Sequence, residues 1–239
     1  MSISKKDSDI FYEEITWNHL NGFMLAFSVI GDHEVNQDSF SYSINENVIK
    51  LAIADGLGSS KYSDIGSSFA TEIAIESNGY EQDLDYFDSV FKRWKLKLKS
   101  KNILDFDTTL KSVYVYDNYL KFHNVGDGVA YIETDNETFL FTTSDEFINQ
   151  TDSLCTYKTN KNDYHISLSY QNSLCLVLYT DGIEQFMSSE RLADFANEFK
   201  ILFKSKDSIK KNVEEWIKSW KSKNYYDDKT MLILYLSRR

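Results

Sequence analysis

The segment Leu51-Ala52-Ile53-Ala54-Asp55-Gly56-Leu57-Gly58 decides the fold, because an apolar run changes within it to an acidic, glycine-rich turn. The apolar run begins at Val48 and predicts a central strand buried on both faces. Aspartate is disfavoured inside strands, but at a strand end the backbone holds its carboxylate in place. A neighbouring glycine lets the backbone approach a ligand closely. The segment therefore predicts a carboxylate held rigidly at the end of a buried strand.

Aspartates stand beside other predicted strand ends as well. They occur in the segments Asn36-Gln37-Asp38, Gly126-Asp127-Gly128, Thr180-Asp181-Gly182 and Asp227-Asp228. Carboxylates that meet at one rim repel each other, and divalent cations between them relieve the repulsion. Oxygen ligands of this kind favour Mg²⁺ or Mn²⁺. The pattern predicts a carboxylate metal site assembled from distant parts of the chain.

The order of predicted elements is strands, two helices, a strand meander, two helices and a final strand. The turns at Asp117-Asn118 and Asp135-Asn136 are too short for crossovers, so the meander strands are predicted to be antiparallel. Helices in pairs, rather than after each strand, favour an α+β fold with helix pairs covering antiparallel sheets. No repeat or low-complexity linker interrupts residues 1–239, so a single domain is expected.

Local patterns give more detailed predictions. Residues 63–78 are predicted as a helix with a buried face formed by Ile65, Phe69 and Ile73. Residues 11–31 are predicted as two strands joined by a turn at Asn21-Gly22. The polar stretch 143–170 is expected to be an irregular flap.

The formal net charge of -11 limits the classes of partner. It disfavours nucleic acid, which needs a basic face against its phosphates, and an anionic membrane. It also counts against a metal-dependent nuclease. Residues 1–15 do not form a secretory signal, and no run approaches the ~18 apolar residues of a membrane span, so a cytoplasmic location is expected. Cys155 and Cys175 lack metal-type spacing, and Cys175 is expected in the core.

In order and spacing, these segments resemble the type 2C, metal-dependent serine/threonine protein phosphatases, especially their short stand-alone bacterial branch. The matching segments are Asn36–Asp38, Ala54–Lys61, Asp107–Leu110, Asn124–Gly128, Tyr179–Ile183 and Asp227–Thr230. The resemblance extends over residues 24–236. It implies a four-layer α-β-β-α sandwich, in which two antiparallel sheets are flanked by helix pairs.

The resemblance also implies a dinuclear Mg²⁺ or Mn²⁺ centre. Asp55 would bridge the two ions. Asp181 and Asp227 would hold the first ion. The carbonyl of Gly56 would bind the second ion, and Asp38 would bind that ion or its water. Asp38 and Asp55 are therefore the expected catalytic carboxylates.

A weaker third ion site, formed by Asp127 with Asp181, is implied by bacterial relatives. Two ions that share a water lower its pKa, so that the resulting hydroxide attacks phosphorus without a cysteine or serine nucleophile. The implied substrate is a phosphorylated serine or threonine in a signalling protein. By analogy with bacterial relatives, a cognate serine/threonine kinase is a hypothetical partner.

The sequence departs from the family at the residues that grip phosphate. Many relatives place an arginine shortly before the first acidic motif, and the stretch Gly31–Val35 has none. His33 and Lys61 are the cationic candidates for phosphate binding, and His33 is also a candidate catalytic group, with a charge that depends on pH. The alternative for His33 is a loop histidine bonded to the backbone.

The missing arginine supports one alternative function, a catalytically weak or inactive pseudophosphatase that acts as a binding or regulatory module. Retention of Asp38, Asp55, Asp181 and Asp227 counts against it, because an inactive site has no need of four mutually repelling carboxylates.

A second phosphatase chemistry is suggested by Asp105-Phe106-Asp107-Thr108-Thr109, which fits the pattern of haloacid-dehalogenase-type phosphatases. There the first aspartate is the nucleophile and follows a hydrophobic strand. Residues 99–102 are polar, so the match is interpreted as coincidence.

Overall fold

The structure, a computed structural model, describes residues 10–77, 83–142, 152–157, 164–184, 186–205, 208–220 and 227–238. In chain order the strands are β1 (Phe11–Trp17), β2 (Leu20–Val29), β3 (Ser39–Ile44), β4 (Ile49–Ala54), β5 (Leu110–Val115), β6 (Tyr119–Val125), β7 (Val129–Thr134), β8 (Thr138–Phe141), β9 (Tyr164–Ser169), β10 (Ser173–Tyr179) and β11 (Lys229–Arg238). The α-helices are α1 (Ser63–Glu76), α2 (Asp83–Leu98), α3 (Leu192–Ser205) and α4 (Ile209–Trp220).

The chain divides into two compact units, and each has its own sheet. The first unit contains the described residues between 35 and 127 and between 152 and 169. The second contains those between 10 and 34, between 128 and 142 and between 170 and 238.

The first unit is built on a five-stranded antiparallel sheet with the order β3-β4-β5-β6-β9. Helix α1 packs against β3, β4 and β5, and α2 packs against α1. The indole nitrogen of the fully buried Trp94 donates a hydrogen bond to the carbonyl of Gly66 at 2.9 Å, which ties α2 to α1. Trp94 is therefore a core residue, as its helical spacing indicates.

The buried face of α1 differs from the sequence prediction. Ile65 is 38% exposed, whereas Ile73 is only 2% exposed. Small residues share the buried face, namely Ser63, Gly66, Ser67, Ala70, Thr71 and Ala74. A Cβ atom at Gly66 would lie 1.7 Å from the carbonyl oxygen of Phe106. The prediction is wrong at Ile65, because the backbone of Phe106 approaches α1 at Gly66 and small residues, rather than Ile65, fill the buried face.

The second unit is built on a six-stranded antiparallel sheet with the order β1-β2-β11-β10-β7-β8. Alternate side chains of these strands, including Phe23, Val177 and Ile233, form one apolar cluster with residues of α3 and α4. Cys175 belongs to this cluster and is 2% exposed, which confirms that it is a core residue.

The first hairpin turns at a different place from the one predicted. Trp17 pairs with Leu20, so the turn residues are Asn18 and His19, and Asn18 has a φ of 53°. Gly22 instead lies inside β2, where a Cβ atom would lie 1.6 Å from the carbonyl oxygen of Tyr235. The Asn21-Gly22 turn prediction is wrong because this glycine serves close strand packing.

The stretch predicted as an irregular flap contains a strand. Residues 164–169 form β9, which pairs with β6 at the edge of the first unit's sheet. Residues 143–151 and 158–163 lie outside the described residues. The prediction is wrong for 164–169, where polar and apolar residues alternate as on an edge strand.

The described residues thus contain two antiparallel sheets and four α-helices, which confirms the predicted α+β class. None of the helices in these described ranges combines the length and apolarity needed to span a membrane.

Candidate functional site

The backbone of Asp55 is fixed after the end of β4 by two threonines, Thr108 and Thr109, that stand directly before β5. The N–H of Asp55 donates to Oγ1 of Thr109 at 2.9 Å, and the N–H of Thr109 donates to the carbonyl of Asp55 at 2.8 Å. Oγ1 of Thr108 donates to the same carbonyl at 2.8 Å. These bonds act on main-chain atoms, so they fix the backbone from which the Asp55 side chain projects.

Gly56 lies where three segments of the first unit meet. Its N–H donates to the carbonyl of Gln37 at 3.2 Å. A Cβ atom at Gly56 would lie 2.7 Å from both Cβ and the carbonyl oxygen of Ser63, and 2.8 Å from the Gln37 oxygen. Glycine is therefore the residue that fits between the Asp38 segment and the start of α1.

Asp38 is next to Asp55 in the strand register. Ser39 pairs with Ala54 across β3 and β4, so the residues just outside this pair, Asp38 and Asp55, leave the sheet at the same end. The N–H of Asp38 donates to Oδ1 of Asn36 at 3.0 Å, and Asp38 is only 1% exposed. In the described part of the chain, Asp38 does not belong to the group of carboxylates around Asp55 whose oxygens lie within 4.8 Å of one another, so metal binding by Asp38 stays a prediction.

Asp127 approaches Asp55 within the first unit. Carboxylate oxygens of these two residues lie within 4.8 Å of each other. The neighbours of Asp127 are Gly126, with a φ of 99°, and Gly128, with a φ of 85°. A Cβ atom at Gly126 would lie 2.5 Å from Cγ2 of Thr109, so this glycine also lets the loop close onto the strand start. The two carboxylates repel each other, and a divalent cation between them offsets that repulsion.

Asp181 follows β10 in the second unit and opens a 3-10 turn, Asp181–Ile183. The N–H of Thr180 donates to the carbonyl of Thr230 at 3.1 Å, and the N–H of Thr230 donates to Oγ1 of Thr180 at 3.0 Å. A Cβ atom at Gly182 would lie 2.0 Å from the carbonyl oxygen of Asp228. The end of β10 and the segment before β11 are therefore held together.

Asp227 lies just before β11 and is surrounded by polar groups of the second unit. Its Oδ1 accepts a hydrogen bond from the N–H of Asp228 at 2.9 Å, and its carbonyl accepts one from Nζ of Lys229. Nε2 of His33 lies 3.9 Å from the same Oδ1, with both side chains half-exposed. Oδ1 of Asp228 accepts the N–H of Gly31 at 2.7 Å, which holds the His33 loop beside Asp227.

Lys61 lies on the surface of the first unit. Its ammonium group is 4.9 Å from the ring centroid of Tyr62. The N–H of Tyr62 donates to the carbonyl of Asp105 at 2.7 Å. Phosphate binding by Lys61 stays a prediction.

Asp105 lies in a 3-10 helix, Ile103–Phe106, rather than after a strand. A haloacid-dehalogenase-type nucleophile directly follows a strand, whereas the described element directly before this 3-10 helix is α2. This geometry agrees with the interpretation of that motif as coincidence.

Asp107 has a structural role that sequence reasoning missed. Its Oδ1 accepts the N–H groups of Thr108 at 2.9 Å and Cys155 at 3.1 Å, and its Oδ2 accepts the hydroxyl of Ser153 at 2.7 Å. The carboxylate thereby fixes the described segment 152–157 against the start of β5. The pairing joins residues more than 40 positions apart, and no short motif signals it.

Comparison with known proteins gives one family. The family model described as Protein phosphatase 2C matches residues 28–220. No protein with a curated description matches the chain at a significant level.

Several solved structures share the fold. RsbX in complex with magnesium is 16% identical, with 95% of this chain and 100% of that chain covered and a TM-score of 0.59. A bacterial serine phosphatase is also 16% identical, with 89% and 96% covered and a TM-score of 0.62. The catalytic domain of the serine threonine protein phosphatase PstP with two manganese ions is 16% identical, with 91% and 99% covered and a TM-score of 0.58.

Proposed function

We propose that this chain, which belongs to the protein phosphatase 2C family, is a metal-dependent phosphoserine and phosphothreonine protein phosphatase. The observation that carries the proposal is the approach of the Asp55 and Asp127 carboxylates to within 4.8 Å. Two carboxylates held this close by strand ends and glycine turns suit a hard divalent cation.

The proposed cofactors are two Mg²⁺ or Mn²⁺ ions, with a weaker third ion bound by Asp127. The related structures with magnesium and with two manganese ions support this choice. Asp55 is the proposed bridging ligand, and Asp38 and the Gly56 carbonyl are the proposed ligands on its other side. When bound, such ions supply a water of lowered pKa and offset charge on the phosphoryl oxygens.

Asp181 and Asp227 are the proposed ligands from the second unit. Asp181 would also contribute to the third ion site with Asp127. We propose that both units form one phosphatase domain over residues 1–239. The family match over residues 28–220 supports this, because that range includes residues of both units.

The strand ends have a definite role in this proposal. Thr108 and Thr109 hold the Asp55 backbone, so the main chain that carries the proposed bridging carboxylate is fixed before an ion binds. Asp228 holds the loop of His33 beside Asp227. His33 is thereby proposed to contact the phosphoryl group or its leaving oxygen, in place of the missing arginine.

The proposed substrate is a protein phosphorylated on serine or threonine, and a cognate serine/threonine kinase is the proposed partner in signalling. Family membership supports a phosphoprotein substrate. Lys61 is proposed to bind phosphate from the surface of the first unit.

The test is hydrolysis of p-nitrophenyl phosphate and of phosphoserine and phosphothreonine peptides, with and without Mn²⁺ or Mg²⁺. We expect turnover that requires the metal and is lost in Asp55→Asn. The matched control is Asp117→Asn, at an exposed turn between β5 and β6, which should keep wild-type rates. Turnover that persists in Asp55→Asn would contradict the proposal. Metal binding at Asp55 without turnover would instead favour the pseudophosphatase.

A further inference from the structure

The second unit contains a cavity of about 270 Å³ that the proposed reaction does not use. It lies between α3, α4 and the chain just after the Asp181 turn. Aromatic side chains form its walls, namely Phe186, Phe195 and Trp216. The rings of Phe195 and Trp216 have centroids 5.2 Å apart and are tilted by 46°. The volume lies just below the roughly 300–1,000 Å³ of drug-sized sites, so it suits a single long side chain.

Charged residues line the same cavity, and their sum is negative. Asp194 and Glu198 stand four residues apart on α3, so both carboxylates lie on one face of the helix and repel each other. Arg191 precedes them in a short 3-10 turn. Within the part of the chain that the structure describes, none of these three side chains forms an ion pair.

We propose that this cavity binds a basic side chain, lysine or arginine, presented by a partner protein. Aromatic faces attract cations, and a cation beside Asp194 and Glu198 would relieve their repulsion. The net charge of -11 favours approach of a basic partner over an acidic one. The proposal does not depend on phosphatase activity.

The test uses N-acetyl-arginine methylamide as the probe, because it carries the guanidinium without a carboxylate. Its matched control is N-acetyl-citrulline methylamide, which has nearly the same shape and no charge. NMR would follow the indole N–H resonance of Trp216, assigned by its loss in Trp216→Phe. We expect a saturable shift with the arginine probe and none with the citrulline probe.

Two sets of variants then locate the site. Asp194→Asn with Glu198→Gln should weaken binding of the arginine probe about tenfold, as expected for two carboxylate contacts. The control pair Glu46→Gln with Glu215→Gln changes the net charge equally at exposed positions outside the cavity and should leave binding unchanged. Arg191→Gln should tighten binding, because it removes a repelling charge.

Equal shifts with both probes would overturn the proposal, as would equal weakening in the control pair. Loss of binding of the arginine probe in Arg191→Gln would also overturn it, because removal of a repelling positive charge should tighten the binding of a cation.

Discussion

Asp55 and Thr109 hold each other through two hydrogen bonds. The N–H of Asp55 donates to Oγ1 of Thr109 at 2.9 Å, and the N–H of Thr109 donates to the carbonyl of Asp55 at 2.8 Å. This clamp joins the end of β4 to the start of β5. The backbone that carries the proposed bridging carboxylate is therefore positioned by the fold before any ligand binds.

Thr109→Val should destabilise the protein by about 1–3 kcal/mol, because it leaves the part-buried N–H of Asp55 without its acceptor while keeping the side-chain shape. Urea unfolding would measure this loss. Thr138→Val, at an exposed position of β8, is the matched control and should stay within about 0.5 kcal/mol of wild type. If Thr109→Val proved as stable as the control, the clamp would have no energetic importance.

Two glycines of one motif should differ in their tolerance of a methyl group. Gly56→Ala should cost about 1–3 kcal/mol, because the new Cβ would lie 2.7 Å from Ser63 and 2.8 Å from the Gln37 oxygen. Gly58→Ala should be close to neutral, since the nearest atom is Oε1 of Gln37 at 4.0 Å. Thermal unfolding of both variants checks this. Equal melting temperatures would count against the close approach described at Gly56.

Asp107→Asn should loosen the segment 152–157. The asparagine amide is uncharged, so it holds the N–H groups of Thr108 and Cys155 more weakly than the carboxylate does, and it offers Ser153 a donor in place of an acceptor. Hydrogen exchange at the Cys155 amide should become faster, while Asp117→Asn should leave it unchanged. Unaltered exchange at Cys155 in Asp107→Asn would show that the carboxylate does not fix this segment.

His123 should make stability depend on pH. Burial, with smaller contributions from His165 and Lys121, lowers the pKa of His123 to about 3. The ring stacks on Tyr86 at 3.9 Å and its Nδ1 lies 2.7 Å from Nδ1 of His165. In the unfolded chain the histidine has a pKa of about 6.5, so it binds a proton as pH falls below 6.5. In the folded chain His123 binds that proton only near pH 3. Stability is therefore lost as pH falls through this window.

His123→Phe keeps a ring against Tyr86 and removes the titrating group. Between pH 7 and 5, wild type should lose up to about 2 kcal/mol more stability than His123→Phe, as follows from about 1.4 kcal/mol per pKa unit. Urea unfolding at both pH values gives the difference. His19→Gln, at an exposed turn, should follow wild type. Identical pH slopes for wild type and His123→Phe would contradict burial of a neutral histidine.

The strand ends at Asp55 and Asp181 are predictable from sequence because each aspartate comes after a mostly apolar strand segment and precedes glycine. This pattern lies within a few consecutive residues, so it can be found without knowing which distant residues pack against them. The pairing of β3 with β4, which places Asp38 beside Asp55, also follows from short connections.

Other features depend on contacts that a local pattern does not contain. Ile65 fits the apolar spacing of α1, yet Gly66 determines which face lies against Phe106. The anchoring of Cys155 by Asp107 joins residues 48 positions apart. Gly22 resembles a turn residue but serves close packing against Tyr235. In each case tertiary packing overrides the local preference.

The central claim is that Asp55 is a ligand of divalent cations in a site that also includes Asp127. Anomalous diffraction at the manganese edge, from crystals of the protein grown with Mn²⁺, tests it most directly. The account predicts a manganese peak about 2 Å from a carboxylate oxygen of Asp55, and a weaker peak at Asp127. Manganese peaks found elsewhere, with none at Asp55, would contradict it.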